Sequence, residues 1–186
     1  SDRHIEWLKS KWGNVCGEVR DLSSTYDEFC SEMEGLSELS QANSRARLRM
    51  TTLYAIAGSN NGIVVGTGNK VEDFGVGFFT KYGDGGVDIY PIADLYKSEV
   101  FAIGNELGII KEILDAAPTD GLWDDGRTDE EQMGASYAEL EWAMKELENP
   151  SESEMSERER EVMSLYVGLH ESNSHKMAPV SYTHLR

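Results

Sequence analysis

The chain has 186 residues, enough for one ordinary domain and short of two, with 39% hydrophobic and 27% charged residues. Thirty-four Asp and Glu (34) against 17 Lys and Arg give a formal net charge of −17, which argues against nucleic acid as a partner. No apolar run approaches the about 18 residues a membrane helix needs, and Ser1-Asp2-Arg3-His4 lacks the basic-then-apolar start of a signal peptide, so no membrane contact and a soluble, cytoplasmic protein are expected. The first residue is not Met, which leaves open that the chain is a fragment.

In chain order, Ile5, Leu8 and Trp12 recur at helical spacing over Asp2–Trp12 before Gly13, and Val15–Val19 alternates like a short strand. A Ser23-Ser24-Thr25 cluster is expected to cap a helix whose Tyr26, Phe29, Cys30 and Met33 form one apolar stripe, with Cys30 in the core. Glu34–Ser40 reads as a loop, Ala42–Ala57 as a helix closed by Gly58, and Ile63-Val64-Val65 as a buried parallel strand. Alternating helices and short apolar strands predict a doubly wound α/β sheet with ligands beyond its strand ends, which puts Thr67 and Gly68 at a binding edge. Tyr96–Leu107 and Ile109–Ala116 read as helices, and Asp124-Asp125-Gly126 as part of a polar loop. Three capping boxes, Thr128 with Glu131, Ser136 with Glu139 and Ser156 with Glu159, open helices in the last third. Val162, Leu165, Tyr166 and Leu169 form the apolar stripe of the final one.

Half of the 18 glycines fall between Gly58 and Gly86, where backbone amides can approach a ligand closely, although a set of ordinary turns explains them equally well. Ser40 to Val71 holds no Asp or Glu but carries Arg45, Arg47, Arg49 and Lys70, a cationic island suited to an anionic ligand or to pairing with acids elsewhere. Arg47 and Arg49, two apart, point to different sides of their helix, so only part of the set can serve one ligand. Glu72 and Asp73 follow the glycine loop, where a carboxylate beside phosphates suits Mg²⁺, and where a solvated pair is the simpler alternative. Lys81, Lys97 and the His175-Lys176 pair could each meet phosphate or be surface residues. No Ser/His/Asp or Cys/His arrangement suits nucleophilic catalysis, and Cys16 in an apolar strand would be inert.

Five segments taken together are more specific. Ala42-Asn43-Ser44-Arg45-Ala46-Arg47-Leu48-Arg49-Met50, Gly66-Thr67-Gly68-Asn69-Lys70-Val71-Glu72-Asp73-Phe74, Gly77-Phe78-Phe79-Thr80-Lys81-Tyr82-Gly83-Asp84-Gly85-Gly86, Pro118-Thr119-Asp120-Gly121-Leu122-Trp123 and His175-Lys176 run in order and closely resemble NAD synthetase. The resemblance implies an adenine-nucleotide α-hydrolase-like, Rossmann-like α/β fold. It implies a ligase that amidates deamido-NAD with ammonia through an adenylated intermediate, releasing AMP and pyrophosphate. Carried over by motif, Thr67, Lys97 and Thr119 would contact ATP and Glu72 would bind Mg²⁺. Arg47, Lys81, Asp88, His175 and Lys176 would contact deamido-NAD, and a homodimer is implied.

The sequence departs from that family at both ends. The Ser-Gly-Gly-x-Asp-Ser loop that cradles pyrophosphate in the family does not occur, so the domain, residues 1–177, is expected to be partial, to lack its first strands and to be inactive alone. Residues 178–186 form an atypical tail whose Val180-Ser181-Tyr182-Thr183-His184-Leu185-Arg186 resembles translated adaptor sequence. The synthetase domain of a glutamine-dependent enzyme and a non-catalytic, dinucleotide-binding or dimerising remnant are the alternatives.

Overall fold

The computed structural model describes residues 2–123 and 125–178; Asp124 and the closing tail from 179 onward lie outside them. The described elements are helices α1 (Asp2–Lys11), α2 (Ser23–Glu32) and α3 (Glu38–Ser59), a π-helical turn (Lys70–Val76), then α4 (Lys97–Glu106), α5 (Lys111–Leu114), α6 (Asp129–Met133), α7 (Tyr137–Glu148) and α8 (Glu157–Met177).

The three expected capping boxes are all formed. Thr128, Ser136 and Ser156 each accept from the amide three residues on, while Glu131, Glu139 and Glu159 reach back to the cap amide at 2.7–2.8 Å. These pairs satisfy donors that an open helix end would leave bare. A similar reach-back precedes α4, where the Tyr96 amide donates to Glu99 at 2.8 Å.

The core lies where α7 and α8 pack on the π-helical turn, burying Val71, Val76, Met133, Leu140, Met144, Val162 and Tyr166. Leu140 is fully enclosed, and burying a side chain of that size stabilises by about 1.5–3 kcal/mol. The expected stripe on α8 is realised in Val162 and Tyr166, with Leu165 and Leu169 packed against the cluster.

The π turn has its own local logic. The buried Asn69 caps it by accepting from the amides of Val71 at 3.0 Å and Glu72 at 3.2 Å. Gly77 ends it at φ 66°, a left-handed conformation natural to glycine. Its last carbonyls are satisfied by one face of α8. His170 Nδ1 lies 2.7 Å from the Gly75 oxygen, Asn173 donates to Val76 at 3.0 Å and Lys176 donates to Gly77 at 2.9 Å. Single π turns inside proteins mark functional positions more often than chance.

Several expectations need correction. Val15–Val19 forms no strand, and its last residue, Val19, is 84% exposed. The Ser-Ser-Thr cluster does not cap α2: the N-cap is Leu22, without a side-chain cap, and the Asp21 carboxylate ahead of it accepts from the Ser23 amide at 2.9 Å. No residue of α2 is fully buried, so Cys30 is only partly covered and Cys16 is exposed; both are free thiols. Helix α3 runs through Gly58 and closes at Asn60, and α5 is only one turn long.

Ile63-Val64-Val65 does not form a buried strand, and the described residues hold little of the expected doubly wound sheet. What remains of it is one isolated parallel bridge between Val65 and Ile89. The Gly66 amide donates to Ile89 at 2.8 Å and the Asp88 amide to Val64 at 3.0 Å. Parallel strands are found where both faces of the sheet are covered. Here Val64 is buried, while Ile63 and Val65 are 60% and 54% exposed.

Candidate functional site

Two groups of side chains flank the π turn. The first centres on Glu72. Lys97 is the first residue of α4, and that helix start is held by Glu141 of α7, which accepts from the Ser98 amide at 2.9 Å and hydroxyl at 2.7 Å. So placed, the Lys97 ammonium donates to Glu72 Oε1 at 2.7 Å and lies 4.7 Å from the Tyr137 ring centre. The Tyr137 hydroxyl is 2.5 Å from the same Glu72 oxygen and 3.3 Å from Asp129 Oδ2. Asp129 opens α6, and its amide donates to the Pro118 carbonyl at 3.0 Å, which hangs the Pro118-Thr119-Asp120 loop beside the group.

The electrostatics of this group follow from enclosure. Burial, then the charges of Glu72 and Asp120, raise the Asp129 carboxyl above its ordinary value. Burial also raises the Tyr137 phenol strongly, with the Glu72 charge next, so Tyr137 keeps its proton. Asp129 Oδ1 is buried without a hydrogen-bond partner among the described residues.

The second group starts one residue on. Asp73 is buried and lines a cavity of about 300 Å³ with Phe74, Phe79, Lys81, Tyr82 and Lys176. Arg47 of α3 donates through Nε and Nη2 to the Lys81 carbonyl, both at 3.3 Å, and Lys81 Nζ donates to the His175 carbonyl at 2.5 Å. Lys176 donates to the carbonyls of Gly77 and Phe79, and burial lowers its pKa. The turn that carries Lys81 is fixed from inside: Asp84 accepts from the Thr80 amide at 2.9 Å, and the Thr80 hydroxyl meets Asn43 Oδ1 at 2.6 Å. Tyr82 sits at φ 63°, a strained conformation for a bulky residue. A larger groove of about 490 Å³ along α7, lined by Glu141, Trp142, Lys145 and Glu146, holds neither group.

Residues singled out in the sequence therefore distribute unevenly. Glu72 and Lys97 are in contact, and the loop of Thr119 adjoins them through Asp129. Thr67 is exposed just ahead of the Asn69 cap. Arg47, Lys81, His175 and Lys176 form one linked set. Asp88 stands apart at the parallel bridge, accepting from the Val64 amide at 2.8 Å and the Tyr54 hydroxyl at 3.2 Å. The cationic island is dispersed: Arg45 donates to Leu122, Arg49 to Asp120 and Gly121, and Lys70 to Tyr96 and Glu148. Arg45 and Arg49, four apart, thus grip one loop while Arg47 reaches another, as helical spacing requires. Sequence reasoning missed Tyr137, Asp129 and Glu141. The first two directly follow the caps Ser136 and Thr128, so their helix starts were legible but not what those starts face.

Residues 10–180 match the family model described as NAD synthase. The chain belongs to the NAD synthase family. It is 43% identical over 166 residues to the NH(3)-dependent NAD(+) synthetase of Archaeoglobus fulgidus, covering 88% of this chain and 63% of that protein. It is 54% identical over 103 residues to the enzyme of the same name from Alkaliphilus oremlandii, covering 55% and 40%. The chain thus spans less than two thirds of the length of either relative. Among solved structures, it resembles the NMN synthetase from Francisella tularensis at 33% identity with a TM-score of 0.79, covering 97% of this chain and 71% of that one. It also resembles the NH3-dependent NAD synthetase from Campylobacter jejuni, solved in complex with nitrate, at 25% identity with a TM-score of 0.71, covering 90% and 66%. The family's fold is therefore shared along most of the chain, although the described residues hold only one bridge of a sheet.

Proposed function

We propose that this chain serves an ammonia-dependent NAD synthetase, which amidates deamido-NAD to NAD with ATP and ammonia. The observation that carries this reading is the meeting of Glu72, Lys97 and the Thr119 loop around Tyr137 and Asp129. These are residues to which family resemblance gives ATP and Mg²⁺ roles, and they come together from segments far apart in sequence. The NH(3)-dependent relatives favour ammonia over glutamine as the nitrogen source.

In the first step the nicotinate carboxylate attacks the α-phosphorus of ATP; a phosphoanhydride bond breaks, pyrophosphate leaves and an acyl adenylate forms. In the second, ammonia attacks the acyl carbon, loses a proton and expels AMP, leaving the amide. Both steps bring anions together, so fixed positive charge must offset the repulsion. Lys97, turning from Glu72 to a phosphate, supplies one such charge, and the Thr119 hydroxyl adds a neutral donor. Lys81 and Lys176 line a cavity whose aromatic side chains suit the flat rings of deamido-NAD, and Arg47 and His175 are tied to that wall through Lys81. Thr67 at the loop edge belongs to the ATP set in this reading, and Asp88, which stands apart at the bridge, is assigned to deamido-NAD by resemblance alone.

Glu72 and Asp129 offer two carboxylates to a hard cation, and with no cluster of three such side chains among the described residues the phosphates of ATP would complete its shell. Asp129 presents a buried oxygen without a partner close to a second carboxylate, and oxygen ligands are what Mg²⁺ takes. Glu72 would hold it, and Mg²⁺ there supplies neutralisation of phosphate charge. The reading includes the doubly wound sheet, of which the Val65–Ile89 bridge is the supporting part, together with a homodimer and a cytoplasmic location.

The test compares this chain with a form extended upstream through a Ser-Gly-Gly-x-Asp-Ser loop, following amide formation from deamido-NAD, ATP, Mg²⁺ and ammonium. The extended form should turn over and this chain should not, because single phosphate donors in such sites are worth about 10²–10³ in rate. Glu72→Gln in the active form should depress turnover most at limiting Mg²⁺, and far more than it lowers thermal stability. Unaltered Mg²⁺ dependence removes Glu72 from the metal site. Preference for nicotinate mononucleotide over deamido-NAD would instead align the chain with the NMN synthetase it resembles.

A further inference from the structure

Tyr137 is assigned nothing by its resemblance or its spacing, yet its hydroxyl occupies the centre of the first group. It is the first residue of α7, where the capping box of Ser136 and Glu139 fixes the helix start. Its ring is buried against the core cluster and lies under the Lys97 ammonium.

A phenol carries one proton. With Glu72 Oε1 at 2.5 Å and Asp129 Oδ2 at 3.3 Å, that proton goes to Glu72. Lys97 donates to the same oxygen at 2.7 Å. Two donors on Oε1, one from α7 and one from α4, fix the plane of the carboxylate. Among the described residues Oε2 accepts no hydrogen bond, so it is the oxygen presented to a ligand. The buried Oδ1 of Asp129 is likewise without a partner there.

We propose that Tyr137 is a positioning residue that orients the Glu72 carboxylate toward a divalent cation. The proposal rests on the metal reading of Glu72 given above. Lys97 cannot hold that orientation alone, because the same reading calls its ammonium away to phosphate. The phenol has no second use and stays. A core tyrosine whose hydroxyl merely needed an acceptor would affect stability and leave cation affinity alone.

Tyr137→Phe removes the hydroxyl and keeps the ring. Mn²⁺ is the probe, titrated into this chain in the presence of a nonhydrolysable ATP analogue, so that Lys97 has a phosphate to meet, and read from the electron paramagnetic resonance of the free ion against the analogue alone, with thermal midpoints measured alongside. Y137F should weaken Mn²⁺ binding about tenfold, the lower end of what outer-shell partners of metal ligands carry, with little change in midpoint. E72Q should weaken it at least as much, and Y137F should add nothing in the E72Q background. Unchanged affinity in Y137F overturns the proposal, and so does an equal loss in both backgrounds. If Y137F also lowers the midpoint, the double variant still decides, since general loosening acts in either background and positioning acts only through Glu72. Mn²⁺ binding that needs Glu72 but not Tyr137 refutes this proposal alone. No binding beyond that of the analogue alone up to millimolar Mn²⁺ refutes the metal reading of Glu72 and the proposal with it.

Discussion

Glu72 and Asp73 are neighbours in the chain with opposite environments. Glu72 is met by an ammonium and a phenol, whereas Asp73 is buried beside Gly68, where even a Cβ would fall 1.9 Å from its Oδ2. Burial, then the charges of Glu72 and Asp84, push the Asp73 carboxyl up to about 7 from 3.8. The folded chain therefore binds this proton more tightly than the unfolded chain. Its contribution to stability is fully present below about pH 4, falls as pH rises toward 7 and is level above that. Asp73→Asn should leave stability near pH 4 unchanged and raise it at pH 8 by roughly 4 kcal/mol, from about 1.4 kcal/mol per pKa unit. Denaturant unfolding of both forms in chelator across this range checks it, and parallel pH profiles would contradict it.

At the scale of elements, the π turn and α8 act as one unit. His170, Asn173 and Lys176, on one face of α8, take the carbonyls of Gly75, Val76 and Gly77 in order. Gly77 is the tightest point of that contact, at φ 66° and with a Cβ position 2.5 Å from the Asn173 Cβ. Gly77→Ala should destabilise by about 2–4 kcal/mol, combining a left-handed conformation worth roughly 1–2 kcal/mol with displacement of α8. The displaced helix carries His175 and Lys176, so amide exchange at the Phe79 and Lys81 turn should quicken in this variant more than in α3. A change under about 0.5 kcal/mol, ordinary for a surface site, would contradict the docking role. Helices α7 and α8 are further joined by the two-pronged Arg158–Glu139 pair, which holds Glu139 at about 2.

At the scale of the molecule, the apolar residues nearest the Val65–Ile89 bridge are open to water. Ile63 at 60% and Ile89 at 45% exposure sit beside unpaired backbone groups, the arrangement that favours edge-to-edge association. Ile63→Lys should reduce light scattering of the concentrated chain at pH 7.5 while leaving the thermal midpoint within a degree or two, because the side chain is mostly exposed and has little packing to lose. Equal scattering in both forms would mean that association uses another surface.

What the sequence determined by itself is mostly local. Capping boxes at Thr128, Ser136 and Ser156 act over three residues, and the 3.6-residue stripe of α8 is a property of one helix, so both were legible. The opposite facing of Arg47 and Arg49 was legible for the same reason, and the ordered motifs of the NAD synthase family were legible as a set. The strand at 63–65 was not, because periodicity records what a segment could bury and a ladder depends on neighbours that the pattern does not contain. The π turn escaped notice because Lys70–Val76 has no local signal beyond Asn69 and Gly77, and its carbonyls are completed by α8, about a hundred residues away. Tyr137 and Asp129 looked like ordinary first-turn residues. Only the packing of α4, α6 and α7 around the π turn brings a phenol, an ammonium and two carboxylates together, and distance along the chain hides that meeting because hydrogen bonds act over ångströms in space.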